Sequence, residues 1–406
     1  MKLLYTISSV DPVGGGPIES IRQLGLSLLS FGHKVEIASL DPPGAVYLSE
    51  CQLPVHALGP AVSGYAFTPR FIPWLRVNRS SYDAVVVNGI WQFHSYGTWR
   101  ALRGSSIPYF VYPHGMLDPW FKKQHPLKHL KKWMYWPWAE YRVLRDAQAV
   151  VFTSEEERIL ARSSFWFYRC NEIVVGLGTS KPQGEERSEL NEFFRRYPSL
   201  RGKKLLLFMG RIHPKKGCDL LIEAFAQVLR RDRVWHLVMA GPDQLGWSGR
   251  LNQRAKELGI SSRITWTGMI SGALKMGALR AAEALILPSH QENFGMVVPE
   301  ALAAGVPALI SNKINIWREI KASGAGLVAE DTLSGTCQLL QTYLEMTDEI
   351  KLAMRKRAYQ CFAQRFEITR TAETLSAILA DSSGKAPAFS WEFATAMKTH
   401  RVSRVQ

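Results

Sequence analysis

The chain has no long apolar run: nothing in it approaches the ~18 consecutive apolar residues that a membrane-spanning helix requires. Its five cysteines (Cys51, Cys170, Cys218, Cys337 and Cys361) are scattered, and no Cys-x-x-Cys pair occurs. That argues against a zinc site and against a disulfide framework, and fits a reducing compartment. Acidic residues are few beside basic ones, 35 against 50, for a formal net charge of +15. Such a charge favours an anionic partner: nucleic acid, an anionic bilayer face or a phosphorylated small molecule. No nucleic-acid module is recognisable, so a sequence-independent polyanion binder ranks last, and no nucleic-acid partner is expected. The opening run, Met1 to Ile7, is too short for a signal peptide and reads as a first strand.

What is present is a chain of 406 residues, 46% hydrophobic, long enough for two ordinary domains. In its first half, residues 3–7, 34–38, 84–87, 109–111, 149–152 and 172–175 read as buried strands. A helical pattern runs from Glu19 to Leu29, and Gly32 would end it. Strand–helix–strand alternation implies a parallel sheet. From Thr179 to Pro198 the pattern breaks into charged and small residues and reads as an interdomain linker. A second series follows, with strands expected at 204–209, 235–240, 263–267, 284–287, 308–310 and 326–328. The expected class is α/β, with two Rossmann-like domains facing a central cleft. The domains are read as 1–180 and 185–365, followed by a C-terminal helix at 366–381 and a tail at 382–406. Ligands of such sheets lie beyond the carboxyl ends of the strands. The tail carries enough apolar residues at 389–397 for a short helix.

The densest chemistry lies in His290-Gln291-Glu292-Asn293-Phe294-Gly295-Met296, continuing through Pro299-Glu300-Ala301 to Gly305. Gly295 permits a tight turn and Pro299 suits a first helical turn, which places Glu292 on a loop and Glu300 on a helix. Two carboxylates beside a helix start suit a ligand with both phosphates and hydroxyls, since carboxylates accept hydrogen bonds from sugar hydroxyls. Elsewhere, Gly210-Arg211-Ile212-His213-Pro214-Lys215-Lys216-Gly217 follows an apolar strand. Arg211 offers a planar donor fork and Lys216 a point charge, two ways to hold a diphosphate. Asp11-Pro12-Val13-Gly14-Gly15-Gly16-Pro17 is a glycine-rich loop before a helix, either a plain turn or a phosphate approach. It is not Gly-x-Gly-x-x-Gly, and no acidic residue closes the second strand convincingly. Tyr112-Pro113-His114-Gly115-Met116-Leu117-Asp118-Pro119-Trp120 puts an imidazole at a strand end. Asn88, Trp91 and His94 end another strand; they would line an acceptor pocket or, for Trp91, pack the core.

The string from Pro288 to Pro307 resembles the signature of the retaining family-four glycosyltransferases, which have the GT-B fold. Gly210 to Gly217 resembles their Gly-Arg-x-x-x-x-Lys-Gly motif, and His114 to Trp120 is similar to a string in their bacterial polysaccharide members. The resemblance implies a nucleoside-diphosphate sugar as donor. It implies catalytic roles for His114, Arg211, Lys216 and Glu292. Around the donor it implies binding by Gly15, Gly16, Gly268, Met269, Asn293, Phe294, Gly295 and Glu300, with Glu300 on the ribose and Glu292 on the sugar. A C-terminal helix crossing back to the first domain is implied in the same way. No Asp-x-Asp occurs, so neither a required metal nor a cofactor is expected. The function expected is retaining transfer of a sugar to a saccharide or lipid-linked acceptor in cell-surface polysaccharide synthesis. A sugar-nucleotide epimerase or hydrolase on the same fold is the alternative. Lys122, Lys123, Lys128, Lys131, Lys132, Arg142 and Arg145 cluster with Trp120, Trp133, Trp136 and Trp138. This segment, 120–145, reads either as a peripheral contact with an anionic membrane or as an amphipathic helix over a core. The expected place is the cytoplasm, at the inner face of the plasma membrane.

Overall fold

Apolar runs such as Val85–Val87 and Leu205–Phe208 are buried throughout, as strands covered on both faces must be. In the computed structural model, which describes residues 1–12, 15–120, 122 and 126–382, they form the middles of two parallel sheets. The first holds β1 (Lys2–Ile7), β2 (Lys34–Ser39), β3 (Val55–Ala57), β4 (Ala84–Asn88), β5 (Tyr109–Tyr112), β6 (Ala149–Phe152) and β7 (Glu172–Val174). Their order is β3-β2-β1-β4-β5-β6-β7. The second holds β8 (Lys204–Met209), β9 (Trp235–Ala240), β10 (Ile264–Gly268), β11 (Ala282–Leu287), β12 (Ala308–Ser311) and β13 (Gly326–Ala329). Their order is β10-β9-β8-β11-β12-β13. Each order reverses once, between β1 and β4 and between β8 and β11, and such switch points open crevices at the strand ends.

Three expectations need correction. The first sheet has a seventh strand, β3, a short and half-exposed edge with no apolar run to announce it. Most of the expected linker is a helix, Glu186–Arg196, whose Phe193 is fully buried in the second lobe's core. Arg280 fastens this helix through Glu189 at 2.5 Å and Glu186 at 3.1 Å. An acid does follow β2: Asp41 is buried, and it accepts from Ser9 Oγ at 2.6 Å, Val10 N at 2.8 Å and Tyr47 Oη at 2.8 Å. It braces the loop after β1 from within.

The C-terminal helix, Ile368–Ser382, follows a π-helical turn at Phe362–Phe366 and begins two residues later than expected. Ile368, Ala372, Leu375 and Leu379 pack into the first lobe with Ile21, Leu24 and Leu28 of the Gly16–Ser30 helix. Outgoing and returning chains pair where they cross: Thr179 N donates to Phe366 O at 2.9 Å, and Ile368 N to Thr179 O at 3.1 Å. The second lobe thus stands on two adjacent crossings. The expected tail helix at 389–397 lies outside the described residues. Among the described residues no helix is long and apolar enough to cross a membrane.

Candidate active site

Between the lobes lies a cavity of about 480 Å³. The second lobe supplies most of its wall from its switch point. The loop after β8 brings Arg211 and Lys216, and the loop after β11 brings Glu292, Asn293, Phe294 and Gly295. Glu300 reaches it from the Val297–Ala303 helix and Lys275 from the Gly272–Ala281 helix. Met269 and Ile270 follow β10. From the first lobe come Gly16, Pro17 and Ser20 at the start of the first helix, and His114 beyond β5. Two expected residues flank the cavity and do not line it. Gly15 closes a turn onto Pro12 O at 3.1 Å, and Gly268 accepts from Gly241 N at 2.8 Å. Val13 and Gly14 lie outside the described residues.

The charges in the cavity are arranged in pairs. Lys216 contacts Glu292 directly, and Lys275 Nζ lies 2.7 Å from Glu300 Oε1. Arg211 is exposed and makes no ion pair among the described residues. Three cationic side chains therefore face two carboxylates, leaving the wall positive. Burial, with Arg211 and Lys215 close by, pulls the Lys216 ammonium down to about 7, and a carboxylate in contact with it, as Glu292 is, favours its charged form. Burial pushes the Glu300 carboxyl up, and Lys275 opposes it. Nothing in the sequence announces Lys275: it stands on a helix face of no recognisable motif.

Two structural details hold the loops in place. Gly217 has φ +65, and a Cβ there would meet Pro288 O at 2.2 Å, so only glycine lets the β8 loop lie against the end of β11. Glu292 N donates to Lys313 O at 2.9 Å and Asn315 N to Glu292 O at 3.1 Å, so the backbone of Glu292 is clamped to its neighbour loop.

His114 Nε2 lies 3.0 Å from Asn88 Oδ1. An amide oxygen only accepts, so Nε2 carries the proton. Desolvation pulls the imidazole down to about 4, so the ring is neutral near pH 7. His94 is different: it is fully buried, bonded to Asn88 O at 2.9 Å, and belongs to the core. Trp91 also packs inward, against Phe165 at 5.1 Å. Neither lines the cavity.

The lobes touch beside the cavity through the turn after His114. Asp118 Oδ1 caps Trp120 N at 2.8 Å, and its Oδ2 accepts from Gln291 Nε2 across the cleft at 2.8 Å. Lys215 Nζ sits 4.7 Å over the Trp120 ring. Asn293 Nδ2 donates to Thr153 Oγ1 at 3.2 Å, and Gly115, at φ +75, leaves room for it: a Cβ would fall 2.8 Å from the Asn293 side chain. Among the described residues no three His, Cys, Asp or Glu side chains are grouped to share a metal ion.

Two facing nucleotide-type lobes with a cationic, carboxylate-bearing cavity between them define a GT-B architecture. Residues 15–178 match the family described as glycosyl transferase 4-like domain, and residues 191–359 that described as glycosyl transferases group 1. The chain belongs to the GT-B glycosyltransferases. Among curated proteins it is similar to the D-inositol 3-phosphate glycosyltransferase of Nocardia farcinica, 35% identical over 31% of this chain and 29% of that one. The enzyme of the same description from Saccharomonospora viridis is 32% identical over 42% and 41%. The chain thus aligns with less than half the length of these relatives. Solved structures of like fold include sucrose-phosphate synthase from Thermosynechococcus elongatus, with a TM-score of 0.74 at 19% identity over 94% of this chain and 98% of that one. Anabaena HepE in complex with UDP and glucose has a TM-score of 0.72 at 17% identity over 94% and 100%.

Proposed function

We propose that the protein is a retaining glycosyltransferase that moves a sugar from a nucleoside-diphosphate sugar to a saccharide or lipid-linked acceptor in cell-surface polysaccharide synthesis. The observation that carries this reading is the meeting of Arg211, Lys216, Glu292 and Glu300 in one cavity between the lobes. In this reading the donor exchanges partners within the site. Lys216 and Arg211 turn to the diphosphate; Glu292, released, accepts from sugar hydroxyls, and Glu300 from the ribose. The neutral His114 faces the sugar. The anomeric carbon–phosphate oxygen bond breaks, and the acceptor hydroxyl bonds to that carbon on the same face. Its proton goes to the departing phosphate oxygen. The two cations offset the charge of the leaving group, so the reaction proceeds without a metal. A complex of UDP-glucose with Anabaena HepE makes uridine diphosphate sugars the first donors to screen.

Lys216→Ala and Glu292→Ala should each lower transfer by about 10²–10³-fold or more while leaving the melting temperature within a few degrees. Wild-type turnover by either would overturn the site assignment. Incubating donor alone separates the epimerase or hydrolase reading, in which turnover needs no acceptor. A thermal-shift series with UDP, GDP and their sugars identifies the base, because a ligand of the folded state raises the melting point.

A further inference from the structure

The Pro126–Tyr135 helix is built inside out. Three of its polar residues face the protein: His129 stacks on Phe165 at 4.9 Å, Lys132 Nζ lies 4.7 Å over the Trp91 ring, and Tyr135 Oη bonds Tyr65 Oη. Behind them sits the fully buried Glu140 carboxylate, which accepts from Trp91 N at 2.9 Å and Ser95 Oγ at 2.8 Å. The apolar residues face out: Leu127 is 78% exposed, Leu130 57% and Met134 61%. No residue of this helix is buried. A helix in water presents the opposite pattern.

A second element continues this surface. Trp166 and Phe167 are 70% and 83% exposed. Trp166 meets Trp133 edge-on at 5.6 Å, and its carbonyl accepts from Trp136 Nε1 at 3.0 Å. Phe167 adopts φ +57, a conformation that bulky residues rarely occupy. The protein thus holds a costly backbone to keep an aromatic ring in the open. Trp138, three residues past the helix, is 69% exposed. A contiguous apolar surface of this kind marks an interaction site.

We infer that this surface is a docking platform for an anionic lipid bilayer, made of the Pro126–Tyr135 helix and the Trp166–Phe167 turn together. The charges choose the occupant. Lys128 and Lys131 stand exposed on the same helix as the apolar stripe, and the helix has no acidic residue. A second copy would set these lysines against their own kind. Leucine and methionine can enter the acyl boundary while lysines and indole rings stay among the headgroups. Each basic residue near such a surface adds attraction that salt screens. The platform belongs to the first lobe, where its helix packs on Phe165, Trp91 and Tyr65. On the proposed reading as a transferase, this is where a lipid-linked acceptor would arrive.

Flotation of the full chain with vesicles tests this without any donor sugar, so its failure and the failure of the transfer reading are separate results. Wild type should float with vesicles of about three parts phosphatidylglycerol to seven parts phosphatidylcholine and much less with phosphatidylcholine alone. Leu130→Asp with Met134→Asp, and separately Trp166→Ser with Phe167→Ser, should each reduce partitioning about tenfold or more, since each removes large side chains from the apolar phase. These positions face outward, so melting should be unchanged. Three outcomes overturn the inference. Wild type stays unbound; the variants float equally well; or light scattering finds a dimer that the variants break, with no flotation.

Discussion

The two lobes share one sheet architecture and differ in how they meet the cavity. The second lobe presents charge: Arg211, Lys216, Lys275, Glu292 and Glu300 all belong to it. The first presents mainly backbone and small groups, Gly16, Pro17 and Ser20, with one neutral imidazole, His114. Its own cations stand on the outside, beside exposed Leu127, Leu130 and Trp138. On the proposed reading, the lobe that carries its charge inward holds the phosphorylated donor and the other admits the acceptor. Substituting one residue on each side should sharpen this contrast most. Arg211→Ala should cost about 10²-fold or more in transfer, whereas Ser20→Ala should stay within a few fold. Steady-state kinetics with saturating acceptor check both, and equal losses would end the asymmetry.

Much of the second lobe was legible because its chemistry is local. Arg211 and Lys216 stand five residues apart at one strand end, and Glu292 and Glu300 share one loop-to-helix segment, so local motifs and the family resemblance they carry placed each pair. Continuous apolar runs likewise marked twelve of the thirteen strands, and β3 escaped because it is a three-residue edge. What spacing could not show are partners distant in sequence. Lys275 meets Glu300 from another helix, and Asn88 fixes the His114 tautomer from a different strand. The helix at Glu186–Arg196 looked like a linker because most of its residues are charged, and it owes its place to Phe193 and the Arg280 ion pairs. The Pro126–Tyr135 helix showed its lysines and tryptophans in the sequence but not which way they face; Lys132 and Trp136 turn inward. Lys123 lies outside the described residues.

A contrast of buried titratable groups gives a smaller effect. His94 is sealed within the first lobe, where burial pulls its pKa down to about 4 against 6.5 in an unfolded chain. Between those values the unfolded state binds more protons. The stabilisation is therefore complete above about pH 6.5 and is lost as pH falls toward 4, by roughly 3 kcal/mol. Glu140 slopes the other way: burial raises it to about 7, so acidification from 7 relieves the cost of its charge. The wild-type profile should accordingly be shallow. In His94→Gln that offset is gone, so stability should rise on acidification, by about 2 kcal/mol relative to wild type between pH 6.5 and 4.5, read from urea melts. Parallel profiles would mean that His94 is not held neutral.

The smallest expected effect lies where the lobes touch. Asp118 both caps Trp120 N and accepts from Gln291 across the cleft, so Asp118→Ala alone mixes a lost turn with a lost bridge. A double-mutant cycle with Gln291→Ala separates them, because the cap survives in the Gln291 variant and the bridge is absent from both. The bond is only partly buried, so its coupling should be about 1 kcal/mol in unfolding free energy. Its larger consequence is geometric: the same bond fixes the His114–Trp120 turn against the loop that bears Glu292. Gln291→Ala should therefore raise the donor KM more than it lowers stability. Zero coupling together with an unchanged KM would show that the lobes keep their spacing without this contact, leaving Asn293–Thr153 and the paired crossings at Thr179 and Ile368 to set the width of the cleft.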